Sequence, residues 1–213
     1  MESLTIEQVI DMQNQVSETI IENREKLGEI DRKIGDGDHG EGMYIGFSAV
    51  KKKLQSDNSY STIGELYKEV GMALLSSMGG ASGVLFASIY ISLAEHTKND
   101  VKLNAKSFVS GYKKALESIK NRGGAKLGDK TMIDALEPAV DRMEAMTEEN
   151  ADLIELFLQA SEAAKEGVEN TKKLISKHGR SKSLGDRSLG YQDAGATSIA
   201  LIFETMSKYV GSV

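Results

Sequence analysis

Apolar side chains recur every three to four positions along almost the whole chain, and the one proline, Pro138, is the only residue that would break the pattern outright. This spacing lays an apolar stripe along one face of an α-helix, and such a stripe must be hidden against a neighbour. Residues 5–27 carry Ile6, Val9, Ile10, Val16, Ile20 and Leu27 in that register behind a capping Thr5. The same period returns from Met43 to Leu54, over 62–77 behind Ser61 or Thr62, and from about Ser82 to His96. It continues through Phe108–Ile119, over 131–146, over 151–176 and over 194–210. The run VLFASIYISLA is apolar enough for a strand, but a lone strand has no partner in such a chain, so it is read as a buried helix. Pro138 is expected to bend helix 131–146, since it brings no amide and crowds the preceding turn. Eight or so helices, no exact repeat and no linker predict an all-α fold, a single domain over 1–213 with antiparallel packing.

Charge and cysteine content exclude several functions. Basic residues number 26 against 32 acidic ones, a net charge of -6, so no general field draws nucleic acid or an anionic membrane. The absence of cysteine removes disulfides, thiolate metal sites and cysteine nucleophiles, and three histidines are a poor basis for zinc. The start MESLTIEQV has neither a basic nor an apolar leader region, and no apolar run approaches membrane-spanning length. A cytoplasmic protein that binds neither nucleic acid nor membrane is expected.

Most of the 21 glycines lie between the helical runs, and there the chemistry concentrates. The stretch EIDRKIGDGDHGEGM, 29–43, reads as a shaped loop that brings Asp31, Asp36 and Asp38 together. Gly37 lets the last two turn to one centre, and Gly35, Gly40 and Gly42 allow close approach. Two carboxylates at about 4 Å repel by roughly 4 kcal/mol at an effective dielectric of 20. Hard oxygens of this kind suit Mg²⁺ completed by phosphate oxygens; the plainer alternative is a polar turn that caps helices. His39 can serve a phosphate, an aspartate or the core. In Gly79-Gly80-Ala81-Ser82-Gly83, helix-start amides and the Ser82 hydroxyl fit a phosphate, or simply a tight turn. GGAKLGDKT, 123–131, fails as a P-loop because Asp129 separates Gly128 from Lys130. Gly124 and Met132 can still line a base pocket, although Met132 equally suits a core. The long polar loop 178–196 offers Arg180, whose planar fork matches phosphate oxygens, and an Asp193-Ala194-Gly195 helix start.

Taken in order, Asp31–Met43, Met78–Gly83, Gly128–Asp134, Gly179–Arg187 and Gly190–Ala196 resemble the nucleotide-binding L subunits of bacterial dihydroxyacetone kinases, and the carboxyl-terminal domain of single-chain dihydroxyacetone kinases. The resemblance spans nearly the whole chain. It implies an antiparallel eight-helix barrel with the nucleotide in loops at one end. It implies two Mg²⁺ ions on Asp31, Asp36 and Asp38, and phosphate-side contacts from His39, Gly40 and Gly42. It further implies enclosure of ADP or ATP by Gly79, Gly80 and Ser82, base-side contacts from Gly124 and Met132, and a closing loop of Arg180, Asp193 and Gly195. Arg180 would stabilise charge during phosphoryl transfer. The implied partners are a K subunit that binds dihydroxyacetone and a phosphohistidine-bearing M subunit of the phosphotransferase system; contact with a transcriptional regulator and homodimerisation stay open. The family's Asp-Pro-Gly-Ala is Asp193-Ala194-Gly195-Ala196 here, which leaves the closing turn less preorganised. A nonenzymatic nucleotide-binding regulator and a purely helical interaction module are the alternatives.

Overall fold

The structure is a computed structural model that describes residues 1–56, 59–148 and 152–213. Nine α-helices are present among them: α1 Ile6–Glu22, α2 Arg24–Ile34, α3 His39–Ser56, α4 Ile63–Ser77, α5 Gly80–His96, α6 Ala105–Gly123, α7 Ile133–Glu148, α8 Leu153–Thr171 and α9 Ala194–Val210. A 3₁₀ segment, Arg180–Ser188, lies between α8 and α9. Positions 57 and 58 of the expected break at 55–62, and Ala151 at the start of the expected helix 151–176, lie outside the described residues.

Helix α1 packs on α3, and from there each helix packs on the next through α9, which returns to α1. The result is a closed ring of eight helices, with α2 set outside against α3 and α9. Tyr67, Tyr90, Phe47, Phe86, Phe108, Phe157 and Phe203 fill the interior, all under 2% or about that exposed, in one contiguous core. Burial of these stripes is what the three-to-four-residue period requires, at about 25 cal/mol per Å² of apolar area. Among the described residues no helix is long and apolar enough to cross a membrane.

Two features depart from expectation. The predicted helix 5–27 is two helices, broken at Asn23, and the second runs on to Ile34, so the expected loop 29–43 shrinks to 35–38. Gly40, taken as a loop glycine, and Gly28 are the reason: a Cβ on Gly40 would lie 2.2 Å from the Arg24 carbonyl oxygen and 2.6 Å from the Gly28 nitrogen. They let α2 and α3 cross backbone to backbone. Second, Ser3–Thr5 and Lys102–Asn104 form a two-stranded antiparallel ribbon with Leu4 opposite Leu103, both buried; each strand finds in the other a partner that local periodicity could not reveal. Pro138 sits inside α7. Pro138 brings no amide to the Asp134 carbonyl, and Gly167 of α8 packs there so closely that a Cβ would come within 2.1 Å of that oxygen.

Candidate functional site

Side-chain contacts tie the starts of α3, α5, α7 and α9 and the ends of α6 and α8 into one pole of the ring. His39 Nε2 lies 2.8 Å from Ser198 Oγ at the start of α9, and its ring is 6.4 Å from that of Phe86 in α5. Gly123 at the end of α6 faces Leu85, and Gly195 faces Met132 just before α7. Lys130 reaches the carbonyl of Thr171 at the end of α8.

The acidic turn is built from two helices and the four residues between them. Asp31 rides on the last turn of α2, and its Oδ2 accepts the Gly37 amide at 2.8 Å and the His39 amide at 3.3 Å. Gly37 adopts φ 81°, which lets the chain fold back over Arg32. Asp31, Asp36 and Asp38 then each present an oxygen within 4.8 Å of the others. Desolvation raises the Asp38 pKa first, and the charges of Asp36 and Asp31 and a hydrogen bond to Asp36 add to it, with Arg180 opposing. Three carboxylates crowded in this way gain from a cation among them.

That cationic partner is in part already present. Arg180 Nε lies 2.9 Å from Asp36 Oδ2, although the arginine side chain is 78% exposed. The last loop therefore closes onto the acidic turn across 144 positions of sequence, the difference between 180 and 36.

The other predicted residues fall at the same pole with unequal accessibility. Gly79 and Gly80 are exposed, Gly80 has φ 70°, and a Cβ on either would meet nothing. Gly79 gives α5 no side-chain cap, so the first amides of that helix face outward beside the half-buried Ser82. Gly124 closes α6 at φ 68° and is open. Gly42 is equally open, whereas Gly40 is occupied by the α2–α3 crossing. Met132 is 6% exposed and belongs to the core cluster, with its Cβ 3.3 Å from where a Gly195 side chain would begin. His39 is buried, and desolvation lowers its pKa against the raising effect of Asp31, so the neutral ring against Ser198 is favoured. Asp193 caps α9 through the Ala196 amide at 2.8 Å. Its carboxyl is pushed up to about 7, by desolvation above all, with Asp134 and Asp31 adding and Lys130 opposing.

Sequence reasoning missed the residues that hold this pole from within. Asp134 Oδ1 accepts the Gly128 amide at 2.7 Å and its Oδ2 the Thr131 amide at 2.8 Å, so one carboxylate closes the turn before α7. Asp129 is 3% exposed and pairs with Lys177 and His178. The string GDKTMID was the available signal, but a P-loop comparison asks the wrong question of it. Ser198 had no local signal at all, since its partner His39 is far away in sequence.

Fold and site together define a mostly helical protein with a carboxylate turn and a facing arginine loop at one pole. The chain belongs to the DAK2 domain family, which residues 33–208 match. It is 34% identical over 205 residues to the ADP-binding subunit DhaL of the PEP-dependent dihydroxyacetone kinase of Escherichia coli, covering 96% of this chain and 97% of that protein. The ADP-binding subunit DhaL of the PTS-dependent kinase of Lactococcus lactis is 34% identical over 211 residues, covering 97% and 99%. The crystal structure of the dihydroxyacetone kinase from C. freundii in complex with AMP-PNP and Mg²⁺ superposes with a TM-score of 0.73 at 26% identity. That match covers 98% of this chain and 34% of the other, so the chain spans about a third of that enzyme. The nearly full-length relatives are named as subunits of a kinase, in keeping with the expected family.

Proposed function

We propose that this chain is the ADP-binding subunit of a phosphoenolpyruvate-dependent dihydroxyacetone kinase. In this reading it keeps ADP as a resident coenzyme and relays a phosphoryl group from a phosphohistidine on an M subunit to dihydroxyacetone held by a separate K subunit. The observation that carries the reading is the 2.9 Å contact of Arg180 with Asp36, which joins the late loop to the early acidic turn.

The residues present suit Mg²⁺. Asp31, Asp36 and Asp38 offer hard oxygens within 4.8 Å of one another, and their mutual repulsion is what two divalent ions would relieve. Bound there, Mg²⁺ supplies neutralisation of phosphate charge and in-line orientation of the transferring group. The chain's own groups do the rest. Asp31 holds the turn in shape through the Gly37 and His39 amides. The uncapped start of α5 at Gly79, Gly80 and Ser82 turns its amides toward an anion. Gly42 leaves room on the phosphate side, Gly124 and Met132 border the base side, and Asp193 and Gly195 belong to the closing loop. The exposed Arg180 exchanges Asp36 for phosphate oxygens and stabilises their charge during transfer.

Calorimetry with Mg²⁺ and ADP, beside circular dichroism, tests the assignment. Asp38→Ala is expected to abolish Mg²⁺-dependent ADP retention while leaving the helical signal intact; unchanged affinity overturns it. Label moving from a phosphohistidine partner through ADP to dihydroxyacetone establishes the relay, and ADP binding without any transfer rejects it.

A further inference from the structure

Lys130 is the most unusual charged group outside the acidic turn. Its side chain is 1% exposed. Its Nζ donates to the carbonyls of Thr171 at 2.8 Å, Leu174 at 3.2 Å, Ser188 at 2.7 Å and Tyr191 at 2.5 Å. An ammonium carries three protons, so four carbonyls share them, in the manner of an oxygen cage around a monovalent cation. The backbone pays a steric penalty to place it, since Lys130 has φ 61° and is the one such non-glycine residue among those described. A buried ammonium is tolerated only when fully hydrogen-bonded and balanced. Here Asp193 and Asp134 supply opposite charge nearby.

The four carbonyls come from both shoulders of one segment. Thr171 is the last residue of α8 and Leu174 lies in the turn after it, and a cation is favoured at a helix C-terminus; Ser188 ends the 3₁₀ segment and Tyr191 follows it. The neighbouring Asp129 grips the first shoulder again, through Lys177 at 2.9 Å and His178 at 3.3 Å. Between the grips, residues 180–188 bury only Ser181 and Ser188. They are bounded and interrupted by Gly179, Gly185 and Gly190, all at positive φ. A segment with so little core of its own needs an outside anchor to keep an exposed arginine in one place.

We propose that Lys130 is a positioning residue, a built-in cation that fastens the end of α8 to Ser188 and Tyr191 and thereby holds Arg180 beside the acidic turn. Its consequence for nucleotide binding rests on the function proposed above; the fastening itself does not.

Lys130→Gly in the full chain tests this, because glycine accepts φ 61° and removal from Cβ outward leaves a space shaped like n-butylammonium. Hydrogen exchange of amides 179–191 is expected to quicken by about thirtyfold or more, in keeping with the loss of charge-assisted hydrogen bonds. Tryptic cleavage after Arg180 should quicken with it. Added n-butylammonium should reverse both changes and n-butanol neither. Lys130→Met, which keeps the apolar stem and loses only the donors, should loosen the same amides. Native protection of 179–191 in either folded variant, or equal rescue by n-butanol, overturns the proposal. In a parallel titration with Mg²⁺ and ADP, a loss of affinity that the amine restores supports both readings. Amine-reversible loosening with unchanged affinity upholds the fastening and takes Arg180 out of the nucleotide site.

Discussion

The two poles of the ring treat their helix ends differently. Helices α1, α4, α6 and α8 start at the pole that carries the β-ribbon, behind Thr5, Thr62, Asn104 and Asp152. Each of these side chains accepts an amide of its own first turn, from Gln8, Glu65, Ser107 and Glu155, at 2.9–3.3 Å. At the other pole α5 starts behind a bare glycine. Every positive-φ residue among those described, seven glycines and Lys130, lies at that second pole. One pole spends its polar side chains on its own backbone. The other also caps α9 through Asp193, but it folds through glycine turns and leaves Asp36, Asp38, Arg180 and the uncapped start of α5 exposed, which is the arrangement a polyanionic ligand with cations requires.

If this division of labour is right, the largest effect of a small change belongs to the crossing beneath the acidic turn. Gly40→Ala puts a methyl group 2.2 Å from the Arg24 carbonyl oxygen, a backbone atom that cannot swing aside. Overpacking of this kind costs about 1–3 kcal/mol, and here it also pushes α2 from α3, which separates Asp31 from Asp36 and Asp38. Denaturant unfolding should show the stability loss, and calorimetry a weakened response to Mg²⁺ and ADP. Full stability with full affinity would mean that the crossing does not set the geometry of the turn.

Thr5→Ala probes the opposite pole. Thr5 and Gln8 form a reciprocal capping box, in which the Gln8 side chain accepts the Thr5 amide at 2.9 Å. Losing a threonine cap costs about 1 kcal/mol. Thermal unfolding should register that loss while the affinity for Mg²⁺ and ADP stays at its wild-type value, because nothing of the acidic turn touches this end. A coupled loss of affinity would show that the poles are not independent.

How much of this could be read from sequence follows the same divide. The capped pole was legible because its signals are local: Thr5, Thr62 and the helical period declare themselves within a few residues. The ring itself was legible as helices with apolar stripes. The β-ribbon was not, since Leu4 and Leu103 meet only after the ring closes. At the site pole, Asp31, Asp36 and Asp38 were picked out by crowding, but their setting was misjudged. Glycines can mean loop or close helix approach, and only the position of Arg24 decides which applies at Gly40. Lys130 was passed over because burial of a lysine cannot be read from a polar, glycine-rich string, and its carbonyl partners lie 41 to 61 positions downstream.

The smallest expected effect sharpens the comparison most, because it adds stiffness to the pole that has least of it. Ala194 is the first residue of α9, behind the Asp193 cap, and is 5% exposed. An amide at the first helical position has no intrahelical acceptor, and proline fixes the φ that the helix needs there, so Ala194→Pro forfeits no bond. Its gain comes from the unfolded chain, which loses freedom, and is about 0.4–1 kcal/mol. In a chain of this length that raises Tm by roughly 1–4 °C. The Asp193 carboxylate and the Ala196 amide, 2.8 Å apart, keep their places, so affinity for Mg²⁺ and ADP should hold or tighten slightly. A fall in Tm would show that the packing around Ala194 has no room for the ring, and that alanine stands there for steric reasons.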